Sequence, residues 1–189
     1  MAKKALIILH EGFEEIEAIT PIDLLSRANV EIVQASISES LQVTGRSGIT
    51  LHATDRLSAI AEHAYDVIII PGGPGIVPLR HNPELCELLQ KQAQRGKWIA
   101  CICAAPLLLK DAGLIEGKRY TAHTSTAEEL PEALAHSVVL DGPLLTSRGA
   151  GTASEFSLAL VSQLCGNVTA QTIAEAICWP HSIPTVNAQ

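Results

Sequence analysis

The sequence predicts an α/β fold: a mostly parallel sheet with helices on both faces. Three observations carry this. Short apolar, β-branched runs at Lys4–Leu9, Asp66–Pro71 and Trp98–Ile102 alternate with longer amphipathic stretches. The runs are continuously apolar, the pattern of strands covered on both faces. Each gives way to a turn of glycine or small residues before a helical segment. Such a βαβ rhythm implies right-handed crossovers and puts ligands beyond the carboxyl ends of the strands.

The elements follow in order. Lys4–Leu9 is a first strand; the acidic residues Glu11, Glu14 and Glu15 that follow it at once exclude a signal peptide. Glu14–Arg27 is a helix with an acidic start, where carboxylates suit the helix dipole. Val30–Ala35 is a second strand, and Gln42–Leu51 a turn-rich β segment around Gly45 and Gly48. Asp66–Pro71 ends in Gly72-Gly73. Asn82–Arg95 is a helix with Asn82 as cap, Pro83 in its first position and Gly96 at its end. Trp98–Ile102 is a buried strand, and Ala104–Ala112 a helix closed by Gly113. Arg119–Ala122 is a strand candidate. Val138–Leu140 and Leu144–Ser147 flank the hairpin turn Asp141-Gly142-Pro143. Thr152–Leu164 and Thr169–Ala176 are helices, and the tail Trp179–Gln189 is irregular, able to reach across a surface or a partner.

The 189 residues contain no repeat, low-complexity tract or linker, so one domain is expected over 1–189. The 13 basic residues are outnumbered by 20 acidic ones, a net charge of −7. With only 3% aromatic residues, this argues against a nucleic-acid-binding surface. The apolar, uncharged run Trp98–Leu109 is too short for a membrane span and contains Pro106. Five cysteines, an odd number without a C-x-x-C pair, disfavour a disulfide framework and point to a reducing, cytoplasmic location. No second Cys/His cluster at metal-ligand spacing accompanies Cys101 and Cys103, so no metal site is expected.

Chemistry concentrates at the predicted strand ends. Cys103 lies where a strand gives way to a helix, the corner occupied by a nucleophile elbow. A thiol at a helix N-terminus is acidified; a buried, inert cysteine is the alternative. Cys101, mid-strand, fits the inert case. Glu17 can turn inward toward the sheet end, where a partly buried carboxyl holds its proton, or can remain a solvated helix residue like Glu14 and Glu15. His123 can act as a base toward a cysteine or serve as a capping group. Gly72 and Gly73 offer amides for an oxyanion hole, or simply make a tight turn. There is no G-x-G-x-x-G after the first strand and no Walker sequence.

These pieces, in this order, resemble the ThiJ/PfpI superfamily, in particular its branch around the Parkinson disease-associated protein deglycase and its bacterial relatives. The matching segments are Glu14-Glu15-Ile16-Glu17 with Asp23, Val67 through Gly73, Ala100 through Pro106, Thr121–Thr124 and Leu145 through Thr152. The resemblance implies a flavodoxin-like three-layer sandwich, usually a homodimer, and a cofactor-independent enzyme. It implies Cys103 as the reactive thiol, Glu17 as the carboxyl bonded to it, and His123 as a nearby partner. The amides of Gly73 and Ala104 become the oxyanion donors. The implied substrates are reactive dicarbonyls such as methylglyoxal, converted to lactate, or glycated adducts. A redox-responsive chaperone or oxidative-stress sensor using the same cysteine is the alternative.

Three further positions bear on the match. Arg46-Ser47-Gly48 stands where close relatives carry Ser-Arg-Gly, so the arginine is displaced by one position. Arg27 matches a family arginine near the dimer interface. Ala104 follows the cysteine where the protease and amidotransferase branches carry His or Gly, which removes most support for a peptidase.

Overall fold

A computed structural model describes residues 2–180; the end of the chain, with most of the segment expected to be irregular, lies outside the described residues. The elements are β1 (Lys4–Leu9), α1 (Glu15–Arg27), β2 (Glu31–Ser36), β3 (Gln42–Thr44), β4 (Thr50–His52), β5 (Asp55–Arg56), α2 (Leu57–Ile60), β6 (Val67–Ile70), α3 (Pro83–Gln94), β7 (Trp98–Ile102), α4 (Pro106–Asp111), β8 (Val138–Asp141), β9 (Leu144–Ser147), α5 (Ala153–Cys165) and α6 (Asn167–Ala176).

Seven strands form one sheet in the order β5-β2-β1-β6-β7-β9-β8, parallel except for the β8–β9 hairpin. β3 and β4 form a separate antiparallel pair. The sheet is buried on both faces, and the strand period of two sorts its side chains. Ala5, Ile7 and Leu9 of β1 join Ala100 and Ile102 of β7 in a core under α1 and α5. Leu6 and Ile8 join Ile99 and Cys101 in a second core under α3 and α4. This is the α/β sandwich that the alternating runs predict.

Helix ends follow the sequence signals. Asn82 caps α3, its side chain accepting the Leu85 N–H at 3.1 Å. Glu14 caps α1 in the same way, accepting the Glu17 N–H at 2.9 Å.

Two expectations need correction. Residues 119–122 are not a strand, because β9 already occupies the position beside β7. Their amides bond to side chains instead: Arg119 N to Asp141 Oδ2 and Thr121 N to Thr146 Oγ1, each at 2.9 Å. Glu15 is not a solvated first-turn residue but is buried under the β3–β4 hairpin, where its Oε1 accepts the Ser47 N–H at 2.7 Å. Among the described residues, no helix is long and apolar enough to cross a membrane.

Candidate active site

In the sheet, β2 lies on one side of β1 and β6 on the other, so the strand order reverses there. At that point the turns leaving β1 and β6 pack against each other, Glu14 N donating to Gly72 O at 3.0 Å, and form one wall of the site at the carboxyl edge. The turn leaving β7, the next strand along, closes its floor.

That turn carries Cys103. Its backbone is left-handed (φ 65°), an uncommon conformation for a residue with a side chain, costing about 1–3 kcal/mol. Neighbouring backbone fixes it: Cys103 N donates to Ser147 O at the end of β9, and His123 N donates to Cys103 O, both at 2.9 Å. The adjacent Cys101 is fully buried in the sheet core, with burial pushing its thiol far up.

The turn after β6 supplies the facing wall. A side chain at Gly72 would put its Cβ 2.6 Å from the Cβ of Cys103, so only glycine lets the two turns approach this closely. Gly73 has φ 106°, which also favours glycine. The amides of Gly73 and Ala104 point at the Cys103 sulfur and favour its thiolate. Gly72 differs from the sequence expectation: its N–H does not face the cavity but donates to Glu17 Oε2 at 2.8 Å.

Glu17, in the first turn of α1, is completely buried and turned inward beside Cys103. Its Oε1 has no close hydrogen-bond partner among the described residues. Burial raises this carboxyl to about 7, against the favourable pull of the Gly72 N–H and the thiol. Burial also raises the Cys103 thiol, and a Glu17 carboxylate raises it further. Two neighbouring anions in a dry site oppose each other, so the pair holds one proton in common over a wide pH range. This corrects the expectation that a helix N-terminus acidifies Cys103. α4 begins only at Pro106, three residues beyond the thiol.

A cavity of about 500 Å³ opens above the thiol, lined among others by Gly73, Ala104, His123, Arg46 and Arg80. His123 is exposed, and its Nδ1 is engaged by Ser125, whose N–H lies 3.2 Å and whose Oγ lies 2.8 Å away. It therefore caps its own turn and presents the rest of its ring to the cavity.

Arg46 reaches the same wall from the β3–β4 hairpin. That hairpin is stitched to the turn after β1 by Gly12 N→Thr44 O and Arg46 N→Phe13 O, each 2.8 Å. Burial disfavours the Glu15 carboxylate beneath it, but hydrogen bonds from Ser47 outweigh burial and hold the group below its ordinary range. The arginine displaced by one position in sequence thus still faces the site.

Sequence reasoning missed Arg80. Its guanidinium grips Asp111 through Nε (2.6 Å) and Nη2 (2.7 Å), and Glu129 through Nη1 (2.8 Å) and Nη2 (2.9 Å). The three residues are 18 to 49 positions apart, and no periodic or motif signal links them.

A strained cysteine at the floor of a crevice, faced by a glycine turn and a buried carboxyl, defines an α/β protein of the cysteine-elbow class. The chain belongs to the DJ-1/PfpI family, whose profile matches residues 3–163. It is 38% identical over 175 residues to "Protein DJ-1 homolog A" of Arabidopsis thaliana, covering 90% of this chain but only 45% of that protein, so it spans under half of that relative's length. It is 34% identical over 181 residues to "Glutathione-independent glyoxalase DJR-1.2" of Caenorhabditis elegans, covering 93% of this chain and 96% of that protein. The crystal structure of Drosophila melanogaster DJ-1beta superposes with a TM-score of 0.92 at 33% identity, covering 96% of this chain and all of that one.

Proposed function

We propose that the protein is a cofactor-independent enzyme acting on reactive dicarbonyls or their adducts, converting methylglyoxal to lactate. The observation that carries this is the buried Glu17–Cys103 pair beneath a cavity, with the amides of Gly73 and Ala104 aimed at the sulfur. The similarity to a protein named as a glutathione-independent glyoxalase supports the same reading.

In the proposed reaction, the Cys103 sulfur attacks the aldehyde carbon of methylglyoxal. The carbonyl π bond breaks, and the oxyanion rests on the N–H groups of Gly73 and Ala104. Proton transfer to that oxygen gives a hemithioacetal. Glu17, as carboxylate, then takes the proton from the former aldehyde carbon, and a proton returns to the adjacent carbon. The product is a thioester of lactate. Water cleaves it, releasing lactate and restoring the thiol, so the net change is the addition of one water. His123 is the alternative proton carrier from the cavity side.

Purified protein given methylglyoxal without glutathione should form lactate, and Cys103→Ser should not. Absence of turnover in the parent protein, or full turnover in Cys103→Ser, overturns the assignment.

The unpartnered Glu17 Oε1 favours a second use of the site. A protonated Glu17 can donate a hydrogen bond to a sulfinate on Cys103, as a stress sensor or redox-responsive chaperone requires. Peroxide should then place two oxygens on Cys103 before any other cysteine. A first sulfinate at Cys165 or Cys178 removes this reading.

We further place the protein in the cytoplasm as a homodimer. Ile16 and Ile19 of α1 are 54% and 41% exposed, and Ile49, 54% exposed, lies on the hairpin stitched to the same helix. Such an apolar patch suits a second copy of the chain. Arg27, at the far end of α1, pairs with Asp23 of its own helix at 3.1 Å.

A further inference from the structure

His10 follows β1 directly and is buried, only 1% exposed, beneath the glycine turn. The reaction outlined above does not use it. Its ring bridges two backbone carbonyls: Nδ1 lies 3.2 Å from Glu11 O, and Nε2 lies 3.1 Å from Pro71 O. A neutral imidazole has one N–H. It can donate to one of these carbonyls and must turn a lone pair toward the other, whereas an imidazolium donates to both. Burial pushes the His10 ring below its ordinary range against the two carbonyls, so the neutral ring prevails at pH 7; the charged side chain facing it is Glu11.

The Pro71 carbonyl shares one peptide group with the Gly72 N–H. The oxygen of that group meets His10 Nε2, and its N–H donates to Glu17 Oε2 at 2.8 Å. A hydrogen bond received at a peptide oxygen draws electron density toward it and strengthens the N–H of the same unit as a donor. The Gly72 N–H is also the strongest single stabiliser of the Glu17 carboxylate.

We propose that His10 is a positioning residue that sets how firmly Glu17 holds its proton, acting through the single peptide group between Pro71 and Gly72. Donation from Nε2–H to Pro71 O strengthens the Gly72 N–H bond to Glu17 and favours the carboxylate. A firmer carboxylate leaves less thiolate on its neighbour, so His10 restrains Cys103. This inference rests on Glu17 and Cys103 forming the reactive pair.

The test is the rate of Cys103 alkylation by iodoacetamide across pH 5–10, followed at that residue by peptide mass spectrometry. Two variants are compared with the parent. His10→Leu fills the space and cannot donate; His10→Gln can donate to Pro71 O at every pH. Polarisation of about 10–30% of a charge-assisted bond corresponds to a displacement of about 0.1–0.7 pH unit. His10→Leu should displace the rate–pH profile to lower pH by that amount and speed alkylation at pH 7 by up to about fivefold. His10→Gln should stay with the parent. Superimposed profiles for His10→Leu and the parent, or a Gln variant that follows the Leu variant, overturn the proposal.

The unsubstituted protein gives a second readout independent of any variant's folding. In ¹⁵N-resolved NMR, the Gly72 amide proton should shift with the midpoint of the His10 ring protons. A Gly72 resonance indifferent to that titration overturns the proposal by itself. Neither readout uses methylglyoxal, so failure of this coupling and failure of the glyoxalase reading are separate results.

Discussion

Gly72 and Glu17 are joined by one hydrogen bond, Gly72 N–H to Oε2 at 2.8 Å, across the gap between the β6 turn and helix α1. The residue whose missing side chain makes room for Cys103 is therefore the residue that fixes the carboxyl beside it. Close approach and proton chemistry depend on the same peptide.

Glu17→Gln tests the proton chemistry. Glutamine keeps the size and can still accept from Gly72, but it cannot exchange a proton. Turnover of methylglyoxal should fall about 10²–10⁴-fold, the usual contribution of a general acid–base group.

The same substitution has a pH signature in stability. Folding raises Glu17 from 4.5 to about 7, so between these values the folded chain binds more protons than the unfolded one. Stability then falls as pH rises through that window; the full penalty is present above about 7 and absent below about 4.5, and amounts to about 3 kcal/mol. Urea unfolding at pH 4.5 and pH 8 should show Glu17→Gln gaining on the parent by roughly that amount as pH rises. Parallel pH profiles for the two proteins would mean that Glu17 titrates as an ordinary surface carboxyl.

Gly72→Ala should be damaging despite the smallness of the change. The new methyl group would lie 2.6 Å from the Cys103 Cβ and 2.9 Å from Ala104 N. Forced separation of the turns should cost about 1–3 kcal/mol of stability and slow Cys103 alkylation. Gly151→Ala, where nothing lies within 4 Å, is the control. Equal stability of the two variants in thermal melts would contradict the tight packing of the two turns.

Arg80→Ala removes the cation from Asp111, whose side chain is only 2% exposed. The stranded carboxylate should destabilise the protein by about 2–3 kcal/mol, somewhat under the cost of breaking a fully buried pair. Burial disfavours the Asp111 carboxylate, but its bonds to Arg80 and to the His81 N–H outweigh this and hold it below its ordinary range. The stabilisation is thus present above about pH 4 and is lost as pH falls through the lowered value. Arg80→Ala should show a flatter loss of stability in acid than the parent; an unchanged acid limb would disprove the coupling.

Ile16→Glu tests the proposed dimer. A charge in the middle of the exposed α1 patch should give the monomer mass in light scattering at micromolar concentration, with an unchanged circular dichroism spectrum. A dimer that survives the substitution places the interface elsewhere.

The sheet was legible in the sequence because its strands are buried on both faces and read as unbroken apolar runs. Trp98–Ile102 coincides with β7 in full. Residues 119–122 hold the strand formers Tyr120 and Thr121, but a strand also needs a free edge to pair with, and that depends on β9 taking its place first. β5 and α2, of two and four residues, are too short for any period to register. At the site, Cys103, Glu17 and Gly73 stood out because each lies at a strand end or in a first helical turn. Glu15 did not, since nothing local distinguishes it from Glu14; its burial is imposed by the hairpin laid over it 32 residues later. His10 and Arg80 escaped for a related reason: Pro71 O, Asp111 and Glu129, the partners that tie them to the site, are distant in sequence.

The left-handed backbone at Cys103 has an evolutionary corollary. An L-residue is strained there, and glycine is not. Cys103→Gly should therefore yield a more heat-resistant protein with no thiol to react. A library screened for thermostability alone would discard the cysteine early, while one screened for thiol chemistry would retain it against the gradient of stability. The position carries two opposed selective pressures, and the presence of cysteine there records which of them has prevailed.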